Sequence, residues 1–113
     1  MKTRTPIIAV DRLFQAKGRW WCHLLCDDFT AEGLALLHQF AADIGVPRQA
    51  FHDPPGNPRP HYDLRPEFRE RAIEHGATEL ASNRELVALL HRGRASLKSM
   101  KQAPARSNSE RRL

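Results

Sequence analysis

The stretch Trp20 to Cys26 constrains this chain more than any other. It is largely apolar on both sides of an extended backbone: period two puts Trp21, His23 and Leu25 on one face and Cys22, Leu24 and Cys26 on the other. A strand with two apolar faces must be covered on both, so it belongs in the middle of a sheet. Ile7-Ile8-Ala9-Val10 is a second, β-branched, buried strand. About nine residues join the two, Lys17-Gly18 among them. That is too short for a helical crossover, so as neighbours they are antiparallel.

Helical signals follow. Thr30 suits an N-cap, Leu34, Leu37, Ala41 and Ile44 form one apolar face, and Gly45 with Pro47 ends the helix. Gln49 to His52 reads as a short strand. The segment Asp53 to Pro60 holds four prolines in eight residues, which forbids a helix and keeps the backbone extended. After His61-Tyr62-Asp63 comes a helix from about Leu64 to His75, closed by Gly76, then a strand over Thr78 to Ala81. Ser82 and Glu85 form a capping box for a last helix over Asn83 to Arg92, with Gly93 ending it and Leu97 and Met100 allowing another turn or two. The order β-β-α-β-α-β-α predicts an α/β domain: a small, mostly parallel sheet of three or four strands, flanked by about three helices with right-handed crossovers.

The 113 residues suffice for one core and are too few for two catalytic lobes. Charge divides the chain. Residues 1–92 balance twelve Lys and Arg against twelve Asp and Glu, whereas residues 93–113 carry Arg94, Lys98, Lys101, Arg106, Arg111 and Arg112 against Glu110 alone. The whole +5 excess lies in that segment. The expectation is a neutral domain over 1–92 and a flexible basic tail over 93–113, too poor in apolar residues to order itself.

Cys22 and Cys26 sit roughly 13 Å apart on one strand, beyond the ~5.5 Å of a disulfide. Two buried reduced thiols fit a reducing cytoplasm. The apolar run Pro6 to Val10 stops at Asp11, short of a signal h-region, and no stretch spans a membrane. A cytoplasmic protein is expected.

In a parallel sheet, ligands bind beyond the carboxyl ends of the strands. That edge would collect Asp27 and Asp28, His52 and Asp53, Ser82 and Asn83, with His61-Tyr62-Asp63 on the long loop beside them. Asp11 falls at the opposite edge. Asp and His together suit a divalent cation, Mg²⁺, Mn²⁺ or Zn²⁺, able to activate water and neutralise a phosphoryl oxygen. Structural readings stand beside these: Asp27 and Asp28 as helix N-terminal charge, Asp63 as an N-cap, Ser82 as a cap, His23 as a core histidine. His61 has no such ready explanation. No Walker A motif, Gly-x-Gly-x-x-Gly, Gly-x-Ser-x-Gly or His-Glu-x-x-His occurs.

Trp21-Cys22-His23-Leu24, Phe40-Ala41-x-x-Ile44-Gly45, His61-Tyr62-Asp63, Arg71-Ala72 with Gly76-Ala77, and Ser82 with Arg84-Glu85-Leu86 resemble a family of short bacterial and phage proteins known as a domain of unknown function. The resemblance covers about residues 7–92. It brings no activity, but marks His23 and His61-Tyr62-Asp63 as hallmark positions. This chain departs from it at Asp11-Arg12, where two acids are usual, and in a longer Pro-rich loop.

Two functional readings follow. One is a non-enzymatic accessory protein that binds a protein partner or nucleic acid, the tail residues Arg94, Lys98 and Lys101 gripping phosphates. The other is a metal-assisted phosphoesterase or nuclease. There His61 and Asp63 carry the chemistry, Asp27, His52 and Asp53 hold the metal, and Arg59 and Arg65 hold phosphate. A third, structural role would use Trp20, beside Arg19, as an interface.

Overall fold

The structure, a computed structural model, describes residues 5–111, with side chains described for residues 5–99. The elements are β1 (Ile8–Val10), β2 (Phe14–Ala16), β3 (Arg19–Cys26), α1 (Ala31–Asp43), a 3-10 turn (Arg48–Ala50), β4 (Phe51–His52), β5 (His61–Leu64), α2 (Pro66–Glu74), β6 (Thr78–Glu79) and α3 (Asn83–Arg111). No helix among the described residues is long and apolar enough to cross a membrane.

β3 is central, as its two apolar faces require. The sheet order is β4-β5-β3-β1-β6, with β2 also paired to β3. Lys17 and Gly18 turn the chain with φ of 53° and 74°, the left-handed pair that a tight hairpin needs. β1 and β2 then lie along β3 in succession, and both are antiparallel to it.

The expectation of a small, mostly parallel sheet is corrected. Among the described residues there are six strands, and only β1 and β6 pair parallel. Both helical crossovers do join strands of the same direction: α1 links β3 to β4, and α2 links β5 to β6. The Pro-rich loop changes the rest. It closes a hairpin between β4 and β5, which returns β5 antiparallel between β4 and β3. His61-Tyr62-Asp63, expected on a loop, is therefore a strand beside the central one. Asp63 caps no helix, since α2 starts after Arg65 without a side-chain cap.

Period-two alternation sorts the faces. Val10, Cys22, Leu24, Tyr62 and Leu64 pack under α1 and α2 against Leu37, Ala41, Ile44 and Ala72. The opposite face puts Ala9 and Leu25 against Leu80 and Leu89, with Leu86 and Leu90 of α3 beside them. α3 covers only the β1 side of that face. The β5 side stays open, and polar residues occupy it.

α3 does not stop at Gly93. The helix runs on to Arg111, and residues 93–97 pack on the domain. Gly93 seats against the ring of Phe29, where a Cβ would overlap ring atoms. The Ser96 hydroxyl accepts from the Phe29 amide (3.0 Å), and Arg94 Nε donates to the Pro58 carbonyl (2.9 Å). This glycine is a packing residue and not a helix stop.

Helix propensity alone makes Gly93→Ala stabilising by about 1 kcal/mol, while overpacking a core costs about 1–3. Phe29 is buried and has nowhere to move. We expect Gly93→Ala to lower stability by roughly 1–2 kcal/mol in urea denaturation. A gain would mean that α3 is not seated on Phe29.

Candidate metal centre on the open sheet face

Strand register gathers the polar residues. His23 of β3 pairs with Asp63 of β5, and His52 of β4 pairs with His61 of β5. Paired residues, and those two apart, share a face. His23, His61, Asp63 and His52 therefore all project from the open half of the α3 side.

Asp11 joins them through a β-bulge. Val10 pairs with Leu24 and Phe14 with Trp21, so Arg12 and Leu13 together oppose Cys22 alone. The Asp11 amide donates to the His23 carbonyl (3.3 Å), as in a regular ladder. The return bond is different. The His23 amide donates to the Asp11 side-chain Oδ1 (2.6 Å), and the Asp11 carbonyl accepts from Arg69 Nε (2.9 Å) instead. The carboxylate is thereby locked beside the imidazole, with Asp11 Oδ2 2.7 Å from His23 Nδ1.

Two tautomers follow from these contacts. A carboxylate only accepts, so His23 Nδ1 carries a proton, and in the neutral ring Nε2 then keeps its lone pair. His61 Nδ1 lies 2.7 Å from the Arg59 carbonyl, also acceptor-only, so His61 Nε2 likewise keeps its lone pair. Both Nε2 atoms turn to Asp63 Oδ1, at 3.9 Å from His23 and 3.5 Å from His61. The three donor atoms all lie within 4.8 Å of one another. Ligands at about 2.0–2.1 Å on a tetrahedral zinc sit roughly 3.3 Å apart. The His61–Asp63 distance is close to that spacing, and the His23 atom stands further out. His52 Nε2 reaches the other oxygen, Asp63 Oδ2, at 3.0 Å and holds the carboxylate from outside.

Burial is the largest influence on His61 and pushes it below its ordinary value of 6.5; the charge of His23 acts the same way, while the Arg59 hydrogen bond and Asp63 oppose it. The neutral, ligand-competent form is favoured. Cys22 is pushed up to about 12, first by burial and then by Asp11, and so stays a thiol.

A cleft of about 430 Å³ on one flank is lined by Phe51, His52, Asp53, Pro54, Arg59 and His61. On the other flank a cleft of about 270 Å³ contains Asp11, Arg12, Phe14 and His23, with Ser82 and Asn83 from the start of α3. The donors lie between them.

The expected site residues divide accordingly. His61 and Asp63 sit in the cluster. His52 touches it only through Asp63, with its Nε2 3.0 Å from Asp63 Oδ2. Asp53 is exposed in the loop beyond β4 and is not among the converging donors. Asp27 is fully buried, accepts from the Ile7 amide (2.9 Å) and pairs with Arg92 (3.1 Å), so it ties α3 to the sheet. Asp28 supports the α1 cap through Thr30. Ser82 accepts from the Glu85 amide as a cap. Arg59 is exposed at the cleft, whereas Arg65 is committed to the Trp20 carbonyl and the Trp21 ring. Arg94 clamps Pro58, Lys98 is exposed, and the Lys101 side chain lies outside the described residues.

The carboxyl-edge cluster is thus replaced by one on the sheet face, because β5 runs antiparallel to β3. Sequence reasoning set Asp11 aside and took His23 for a core residue. The available signal was a polar residue sharing a strand face with Trp21 and Leu25, in a hairpin short enough to return an acid opposite it.

Residues 8–93 match the family described as "Protein of unknown function (DUF4031)". The chain belongs to that family. The matched span contains Asp11, His23, His52, His61 and Asp63, and agrees with the resemblance read over residues 7–92. No curated protein and no solved structure matches the chain.

His61 favours the neutral form in the fold, so the unfolded chain takes up a proton first as pH falls through 6.5. The stability this contributes is present above that value and is lost as pH drops towards the lowered folded value. In chelator-treated protein, His61→Gln should flatten the fall of the urea midpoint between about pH 7 and 5. An unchanged slope would remove His61 as its source.

Proposed function

We propose that this domain binds one divalent transition-metal ion through His23 Nε2, His61 Nε2 and Asp63, and uses it to hydrolyse a phosphoester, with nucleic acid as the substrate class. One observation carries the metal reading: three lone-pair-bearing atoms face a common point. Such atoms repel unless a proton or a cation lies between them. Burial disfavours a proton on His61, and a cation shared by the three atoms would satisfy them all.

Two imidazoles and one carboxylate suit Zn²⁺ or Mn²⁺ over Mg²⁺, which prefers oxygen ligands. Three protein ligands leave room for water and substrate, as in hydrolytic zinc sites. The bound cation would supply an activated water and neutralise phosphoryl charge. The chain's own groups do the rest. The Arg59 carbonyl and Asp11 orient the imidazoles, and His52 holds Asp63. The Arg59 and Arg12 side chains, one at each flanking cleft, are available to a phosphate.

Nucleic acid is favoured by the basic residues of segment 93–113, of which residues 93–111 belong to the helix that walls the site. The grip on phosphate expected of an accessory binding protein is then part of the same function, sequence-independent and salt-sensitive.

Calorimetric titration of the chelator-treated protein with Zn²⁺ and Mn²⁺ should give one site. It should be lost in His61→Ala and Asp63→Ala, together with metal-dependent cleavage of an oligonucleotide. Absence of binding by the wild type would overturn the metal reading, and binding without cleavage of oligonucleotides would overturn the substrate class.

Truncation after residue 99 removes Lys101, Arg106, Arg111 and Arg112 while keeping the packed part of α3. Oligonucleotide affinity should fall, and its log–log salt slope should flatten by up to about 3–4. Unchanged binding would remove the segment from the interface.

A further inference from the structure

We infer that Asp11 is a positioning residue that sets the tautomer of His23, and through it decides whether the site accepts a cation. The inference rests on the metal reading and adds the residue that switches it.

Asp11 faces His23 with both oxygens: Oδ1 accepts the backbone amide (2.6 Å) and Oδ2 accepts the Nδ1 proton (2.7 Å). The proton is thus kept at Nδ1, and the Nε2 lone pair points at the cluster. A carboxylate behind the imidazole also raises its basicity as a ligand and holds the ring in orientation. Phe14 stacks on the same ring (centroids 4.9 Å apart, 28° between planes).

Asparagine at this position would act through geometry rather than through size. The amide oxygen of Asp11→Asn must face the His23 backbone N–H, because the reverse orientation sets two donors against each other. The side-chain NH₂ then faces Nδ1. A donor there requires a lone pair on Nδ1, so the ring proton moves to Nε2. The variant keeps the bulge, its backbone hydrogen bond and its shape, but blocks the ligand atom. Arg69 Nε still donates to the residue-11 carbonyl, so the local backbone loses no partner.

The test uses the full chain with ¹⁵N-labelled histidine, first without metal. Long-range ¹⁵N–¹H spectra should show His23 as the Nδ1–H tautomer in the wild type and as the Nε2–H tautomer in Asp11→Asn. Zn²⁺ affinity by calorimetry should fall by about 10–100-fold in Asp11→Asn, as when other partners behind metal-bound histidines are lost. The cobalt-substituted absorption spectrum should weaken in parallel. Urea midpoints check that both proteins fold. Should the variant not fold, the wild-type spectrum decides alone, since an Nε2–H tautomer there overturns the inference. Equal Zn²⁺ affinity in a folded Asp11→Asn overturns it too, while leaving the metal site standing. A tautomer switch in a protein whose wild type binds no cation supports the positioning role and overturns the metal reading instead.

Discussion

One exchanged hydrogen bond organises the open face of this sheet. In a regular antiparallel ladder the His23 amide would donate to the residue-11 carbonyl. The bulge at Arg12 and Leu13 gives that bond to the Asp11 carboxylate and passes the carbonyl to Arg69. A charged side chain becomes part of the main-chain ladder. It cannot leave without orphaning a half-buried amide, at a cost of about 1–3 kcal/mol. The second carboxylate oxygen is then fixed against the imidazole. Arg69, on α2, reaches across to the same point and so couples the helix layer to the polar one.

The remaining donors are placed by the same means. His61 and Asp63 share a face because they stand two apart on β5, and β5 reaches β3 because the Pro-rich loop makes a hairpin. Arg94 clamps that loop at Pro58, and the Arg59 carbonyl within it fixes His61. α3 thus contributes to the site without lending it a ligand. It covers the apolar half of the face, ends where the polar half begins, and steadies the loop behind His61. Asp27 secures the helix to the sheet through Arg92, which accounts for a fully buried carboxylate far from the cluster.

Much of the fold could be read from local pattern. The two-faced apolar run marked β3 as central, Thr30 and Gly45 bounded α1, and Lys17-Gly18 announced the hairpin. What failed was non-local. Alternating helices and strands imply parallel neighbours only when no further strand inserts between them, and nothing local in His61-Tyr62-Asp63 says that it does. The bulge was equally hidden. A tight turn at Lys17-Gly18, continued in regular register, sets Arg12 opposite His23; one extra residue sets Asp11 there instead. Gly93 misled for a related reason. A glycine near the end of an apolar period reads as a stop unless the ring that needs its missing Cβ is known, and Phe29 lies more than sixty residues away. His61 stood out because no cap or core period explained it, whereas Asp63 read equally as an N-cap. His23 was marked by the family resemblance alone, because its strand neighbours are those of a core residue.

The division of charge now has a structural sense. Two carboxylates beside two imidazoles are net negative whenever the rings are neutral, and on their own then repel a phosphodiester. A cation bound at the three donors reverses the local sign. On the proposed function, the basic residues past Gly93 would act at longer range and independently of that cation, within a Debye length of about 8–10 Å at working ionic strength. Attraction of the polyanion and handling of the scissile phosphate would then fall to different groups. The domain could stay neutral, with acids free to orient and ligate, because the charge that would draw the substrate in is carried by the segment beyond it.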